Sequence, residues 1–196
     1  MLKSALQLIR PAVSVFVLLT ILTGALYPLV VTGVAQVAFP SEANGSLIVR
    51  DGKVIGSALI GQTFTKPENF WSRPSATGPM SYNAEASSGA NQGPTNPALV
   101  DAVKARIAAL KAADPTNTKP IPVDLVTTSA SGLDPHISRA AADYQVLRVA
   151  TARKLPVETV NARIEAHTEK PLLGFFGEAR VNVLNLNLAL QDLKAS

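Results

Sequence analysis

No cysteine occurs among the 196 residues. A disulfide framework and a thiolate metal site are therefore both excluded. Histidine is scarce as well. His136 and His167 stand 31 residues apart with no HExxH pattern, so no metal-ligand spacing is present. His136, directly after Pro135, reads as a turn residue, and His167 as a partner for a helix C-terminus. Phosphate-binding glycine patterns are missing too. The Gly52-Lys53 pair lacks the glycine five residues earlier that a P-loop needs, and GANQG at Gly89–Gly93 is not a GxGxxG. Ser129, Ser131, Asp134 and His136 crowd into eight residues, but there is no GxSxG elbow. Such short polar clusters usually serve turns and caps.

Charge is absent from the whole stretch between Arg10 and Glu42. The 23 residues from Ala12 to Val34 make a helix of about 35 Å at 1.5 Å per residue, enough for a hydrocarbon core of about 30 Å. Gly24 and Pro28 weaken a soluble helix but are tolerated in a membrane. An apolar surface on every side argues against a buried soluble helix. A cleaved signal peptide is the other reading: Lys3 and Arg10 form a positive start, and GVA before Gln36 resembles a cleavage site. The run exceeds the length of a signal h-region, which favours an uncleaved anchor.

Basic residues flank only the N-terminal side of this run. The positive-inside rule then predicts a cytoplasmic tail over 1–10, an anchor over 11–38 (core 12–34), and an extracytoplasmic domain over 39–196. Beyond the tail, sixteen basic residues face fourteen acidic ones. A domain so nearly balanced is no polyanion binder, and nucleic acid is not an expected partner.

The exported part reads as one small mixed α/β, or α+β, domain. Asp51-Gly52 predicts a type I′ hairpin turn between strands at 46–50 and 53–62. Asn96-Pro97 provides an N-cap and first-turn proline for a helix carrying Leu99, Val103, Ile107 and Leu110. VDLVT, at 123–127, reads as a short buried strand, and SASGLDPH as a turn. A helix follows over about 138–154, capped by Ser138 or Asp134-Pro135, and another runs from Pro156 to His167. The RVNVLNLNLALQDL segment supports both periodicities, and the expectation is a short strand turning into a helix.

Between these elements lies FWSRPSATGPMSYNAEASSGANQGPTNP, residues 70–97. Its Ser, Asn, Gly and Pro content is that of a linker. Yet it holds the chain's only tryptophan, with Phe70 and Tyr82, and aromatics are useful when they bury area. The expectation is an ordered Ω-like loop pinned by Trp71 and Tyr82, with Arg73, Asn91 and Asn96 tying it to the domain or presenting it to a partner.

Several motifs occur in order along nearly the whole chain: GSALIGQTF (56–64), FWSRPSAT (70–77), SSGANQGPTNPAL (87–99), SGLDPHIS (131–138), QVLRVA (145–150), HTE (167–169) and GEARVNVLNLNLAL (177–190). Together they resemble the C subunit of the Kdp-type potassium-transporting P-type ATPase. Ala179 departs from the family's usual proline, and Met80 varies a loop.

The resemblance implies a non-catalytic accessory subunit of an inner-membrane complex that imports potassium and uses ATP and Mg. The partners it implies are a channel-like potassium-binding subunit, a P-type catalytic subunit, a small accessory peptide and membrane lipid. It also implies a catalytic-chaperone role that raises ATP affinity. The topology leaves only residues 1–10 on the ATP side. Either the effect is indirect, through the anchor, or direct contact with ATP is not part of it. No catalytic, cofactor or metal residue is expected in the chain itself. Gly24 is a helix-packing candidate, with Thr20 or Thr23 beside it. Trp71, Arg73, Asn91, Asn96, Asp134, His136, Gln145 and Asn182 are structural or partner-facing candidates. The alternative is an anchored periplasmic enzyme or solute-binding domain acting alone.

Overall fold

The computed structural model describes residues 2–193; the predicted limits at Met1 and at 194–196 lie outside the described residues. The apolar run is helical throughout: α1 (Leu2–Ile21), a single π-helical turn (Leu22–Leu26) and α2 (Tyr27–Ala38). Pro28 accounts for the π turn. In a regular α-helix its ring would collide with the carbonyl of residue i−4, which is Gly24, and it has no N–H to give. The helix widens by one residue there, and Tyr27 N–H bonds back to Leu22 O. Within residues 7–38 the mean hydropathy reaches 2.2 over 18 residues, and the helix is long and apolar enough to cross a membrane. A short helix α3 (Pro40–Ala43) follows, and the Asn44 amide bonds Gln36 Oε1 at 3.1 Å. Contacts divide the chain into two compact units after Leu47.

The second unit is α+β, with two small sheets. Strands β1 (Leu47–Arg50) and β2 (Lys53–Ser57) form the predicted hairpin. Asp51 and Gly52 both take positive φ, 51° and 74°, as a type I′ turn requires. The expected extension of β2 to residue 62 does not occur. Ile60 N–H turns back to Ser57 O, and the Gln62 amide donates to Ile55 O at 2.7 Å. Gly61 can then donate its N–H to Leu133 O. A Cβ on Gly61 would lie 2.3 Å from the Tyr82 ring, so only glycine fits.

Helix α4 (Pro97–Ala113) starts where Asn96 caps it, Oδ1 accepting from Ala98 N–H at 3.0 Å. The predicted strand at 123–127 is instead a 3₁₀ turn, Val123–Leu125. Leu125 and Val126 are buried, as a buried strand would have them. Asp124 turns its carboxylate to Ser138, accepting from the backbone N–H at 2.7 Å, and the turn delivers it. Strand β3 (His136–Ser138) takes the end of the segment read as a turn. Ser138 then caps α5 (Arg139–Arg153), accepting from Ala141 N–H at 3.0 Å.

Helix α6 (Val157–Ala166) follows Pro156 and ends at His167. After β4 (Thr168–Glu169), strand β5 (Arg180–Asn182) runs straight into α7 (Val183–Gln191), the predicted strand-to-helix transition. Asn182 is the hinge, accepting from Asn185 N–H at 3.1 Å as an N-cap. The second sheet has the antiparallel order β3-β5-β4, with Ile137 opposite Val181 and Thr168 opposite Val181. Its apolar face and helices α5, α6 and α7 enclose Ile137, Val149, Val160, Ile164, Val181, Leu186 and Leu190.

Candidate functional site

A chain segment without regular structure still has an N–H and a C=O at each non-proline residue, and burial obliges each to find a partner. Among residues 70–97 the only helical piece before α4 is the turn Ala84–Ala86. The partners come instead from side chains on α5 and α7. Asn187, fully buried, accepts from Phe70 N–H at 2.8 Å and donates to Phe70 O at 3.0 Å. Gln145, 1% exposed, does the same one residue on. Its Oε1 accepts from Trp71 N–H at 2.8 Å, and its Nε2 donates to Trp71 O at 3.2 Å. Two side-chain amides thus replace the neighbouring strands that a sheet would supply.

Two arginines complete the clamp. Arg148 donates to Pro67 O at 2.6 Å, Asn69 O at 3.0 Å and Gln145 Oε1 at 2.6 Å. Its guanidinium also lies 4.6 Å from the Trp71 ring centroid, a cation–π arrangement. Burial pushes the Arg148 pKa down to about 10, for carbonyls rather than carboxylates are its hydrogen-bond acceptors. Arg153 donates to Glu68 O, Leu190 O and Asn69 Oδ1 at 2.6, 3.0 and 2.9 Å.

Phe70, not Trp71, is the pin. Phe70 is fully buried, whereas Trp71 is half-buried and gives its indole N–H to Lys66 O at 3.1 Å. Tyr82 is also half-buried; its hydroxyl bonds Arg73 O, and burial raises its pKa. Further along, Ser75 Oγ donates to Gly132 O at 2.7 Å and accepts from Tyr82 N–H at 2.9 Å. Gly132 has φ +67°, and a Cβ there would meet Ser88 O at 2.7 Å.

A chain of charges leads away from this loop. Arg73 pairs with Asp134 at 3.0 Å, and Asp134 accepts from His136 N–H at 2.9 Å. The His136 ring stands 3.3 Å from Asp134 on one side and 3.5 Å from Glu169 on the other. Glu169 in turn pairs with Arg180 at 2.8 Å. In the neighbouring cluster Ser131 serves the turn, its Oγ accepting from Leu133 N–H at 3.1 Å. Among the described residues no group of three His, Asp or Glu side chains is placed to hold a metal ion.

Of the residues singled out in the sequence, Trp71 and Gln145 meet in the clamp, and Arg73, Asp134 and His136 meet in the chain of charges. Asn182 joins β5 to the first hairpin's exit by donating to Ala58 O at 2.8 Å. Asn96 serves as a helix cap, and Asn91 is exposed at φ 51°. Gly24 lies in the π turn of the apolar helix, where a Cβ would meet nothing within 4 Å. Sequence reasoning missed Asn187, Arg153 and Ser75, and it passed over Arg148 inside QVLRVA. The available signal was a polar residue standing among leucines in VLNLNLAL.

These features define a class: a membrane-associated protein with, among the described residues, one candidate spanning helix and a small α+β unit. The polar residues of that unit hold its own backbone in shape. The family model for KdpC, the c chain of K+-transporting ATPases, matches residues 9–192. The chain is 65% identical over 188 residues to the potassium-transporting ATPase KdpC subunit of Polaromonas naphthalenivorans, covering 96% of each. It is 66% identical over 186 residues to that of Dechloromonas aromatica, covering 95% of this chain and 97% of the other. With that of Herpetosiphon aurantiacus the identity is 62%, over 95% of this chain and 96% of the other. The chain belongs to the KdpC family of potassium-transporting ATPase subunits.

Proposed function

We propose that this chain is a non-catalytic accessory subunit that assembles and steadies a high-affinity potassium-import complex. The span packs beside the channel-like potassium-binding subunit, and the α+β unit caps that subunit on the extracytoplasmic side. The P-type catalytic subunit and a small accessory peptide complete the assembly. The family match over 9–192 carries the reading. Supporting it, the motif residues Gln145 and Arg148 are buried and engaged by residues 67–71. They are already occupied in holding the fold.

Any influence on ATP affinity is then indirect. Lys3 and Arg10 precede the span and Glu42 follows it, which under the positive-inside rule leaves 1–10 in the cytoplasm. Coupling requires different contacts with two states of the pump, not contact with nucleotide. The test is protease digestion of a C-terminal epitope in sealed inside-out vesicles. Protection is expected. Digestion without detergent would overturn the placement and make direct nucleotide contact the better account.

A further inference from the structure

Between β4 and β5 the chain reads Pro171-Leu172-Leu173-Gly174-Phe175-Phe176-Gly177, with no charged residue. It folds back on itself as a tight turn. Leu172 and Phe176 bond each other through both backbone pairs at 3.0 Å, and Gly174 N–H donates to Pro171 O at 2.9 Å. Leu173 and Gly174 at the tip take positive φ, 55° and 83°. A leucine in the left-handed region is unusual, since side chains other than those of Gly, Asn or Asp rarely adopt it. The turn sends four large apolar side chains outward. Leu172 is 70% exposed, Leu173 76%, Phe175 69% and Phe176 57%, and the two phenyl rings lie 4.2 Å apart.

A contiguous exposed apolar cluster of this kind marks an interaction surface. We propose that this tip dips into the interfacial region of the lipid bilayer. Three features favour lipid over a protein groove. Most of the tip's backbone N–H groups are already bonded within the turn, so little polar surface is stranded in a low-dielectric medium. For the same reason it offers no free strand edge for pairing with a partner. At its base, Glu169 is neutralised by Arg180, and Lys170 stands beside them, which suits the headgroup level. The inference rests on the reading that residues 7–38 span a bilayer. The chain that carries the tip then carries the span, and the tip meets lipid at the high effective concentration of a tethered group.

The absence of cysteine allows a direct test on the full-length chain. Single variants Phe175→Cys, Met80→Cys and Val17→Cys are labelled with a nitroxide and reconstituted, without other subunits, in phosphatidylcholine vesicles. Met80 is an exposed control in the second unit, and Val17 reports the span. At position 175, collision with a water-soluble nickel chelate should be several-fold lower than at 80, with oxygen collision higher. A water-like signal at 175 beside a lipid-like signal at 17 overturns the inference while leaving the span intact. A water-like signal at 17 removes the span reading and the inference with it. Shielding at 175 that arises only in the assembled complex assigns the tip to a protein groove and overturns the lipid assignment.

Discussion

Asn187 on α7 holds Phe70 by both of its backbone groups, 117 positions away in the chain, and both residues are fully buried. One carboxamide reproduces the paired donor and acceptor that a neighbouring strand would present. Replacing it with leucine, close in size and apolar, leaves a buried N–H and a buried C=O unsatisfied. The expected cost is about 2–4 kcal/mol from the desolvation of two such groups. Urea unfolding of the solubilised chain checks it, and a loss below about 0.5 kcal/mol would show that the clamp is incidental.

Phe70 and Trp71 are adjacent but differ in burial, and their alanine variants should rank accordingly. Phe70→Ala empties a closed site in the core and should cost about 3–5 kcal/mol. Trp71→Ala removes a half-buried ring and its cation–π contact with Arg148, for about 1–2 kcal/mol. Thermal melts of the two variants would decide it; the reverse order would make Trp71 the pin after all.

Asp134 predicts an acid-side dependence. Burial alone raises its pKa. Hydrogen bonds from the His136 ring and backbone and the charge of Arg73 outweigh that, and the net shift is below the ordinary 3.8. The contribution of the carboxylate is complete above the unfolded value and is lost as pH falls through the lower folded one. Asp134→Asn should therefore be less stable at neutral pH, with a shallower decline below about pH 4. Glu169 keeps part of the slope, because its bonds with Arg180 and His136 likewise outweigh burial and lower its pKa. Parallel stability–pH curves for variant and parent would count against this account.

Gly132→Ala meets two obstacles together. The backbone is at φ +67°, and the new methyl would lie 2.6 Å from Thr77 Cγ2 and 2.7 Å from Ser88 O. Left-handed strain alone costs about 1–3 kcal/mol, and the backbone carbonyl is not free to yield. Loss of hydrogen-exchange protection at Thr77, Tyr82 and Asn83 amides, ahead of global unfolding, is the expected signature.

Gly24→Leu separates assembly from folding. A Cβ at Gly24 meets nothing within 4 Å in this chain, so the isolated chain should express and melt as the parent does. If Gly24 allows close approach of a partner helix, co-purification of the other subunits should fall. Unchanged yield of the complex would remove Gly24 from the interface.

The fold was legible wherever its cause was local. Asn96 is read as a cap, and Ser138 as one of two candidates for the next, because the N–H groups they satisfy lie two and three residues away. The hairpin turn is read from Asp51-Gly52 because the positive φ it needs is a property of those two residues. The buried strand expected at 123–127 failed for the opposite reason. Its hydrophobicity was real, but the backbone follows Asp124, whose carboxylate serves Ser138 in another element. Trp71 drew attention by its size, yet a smaller neighbour took the enclosed place.

By itself, the order of amino acids determined an apolar helix long enough for a bilayer, the helix caps, the hairpin and the family. Each depends on composition, on spacing or on partners a few residues apart. Only the tertiary structure decided how residues 67–77 are held, and so what Gln145, Arg148 and Asn187 are for. A segment without its own helix or sheet borrows hydrogen-bond partners from distant side chains, and folding alone chooses which of them come within 3 Å.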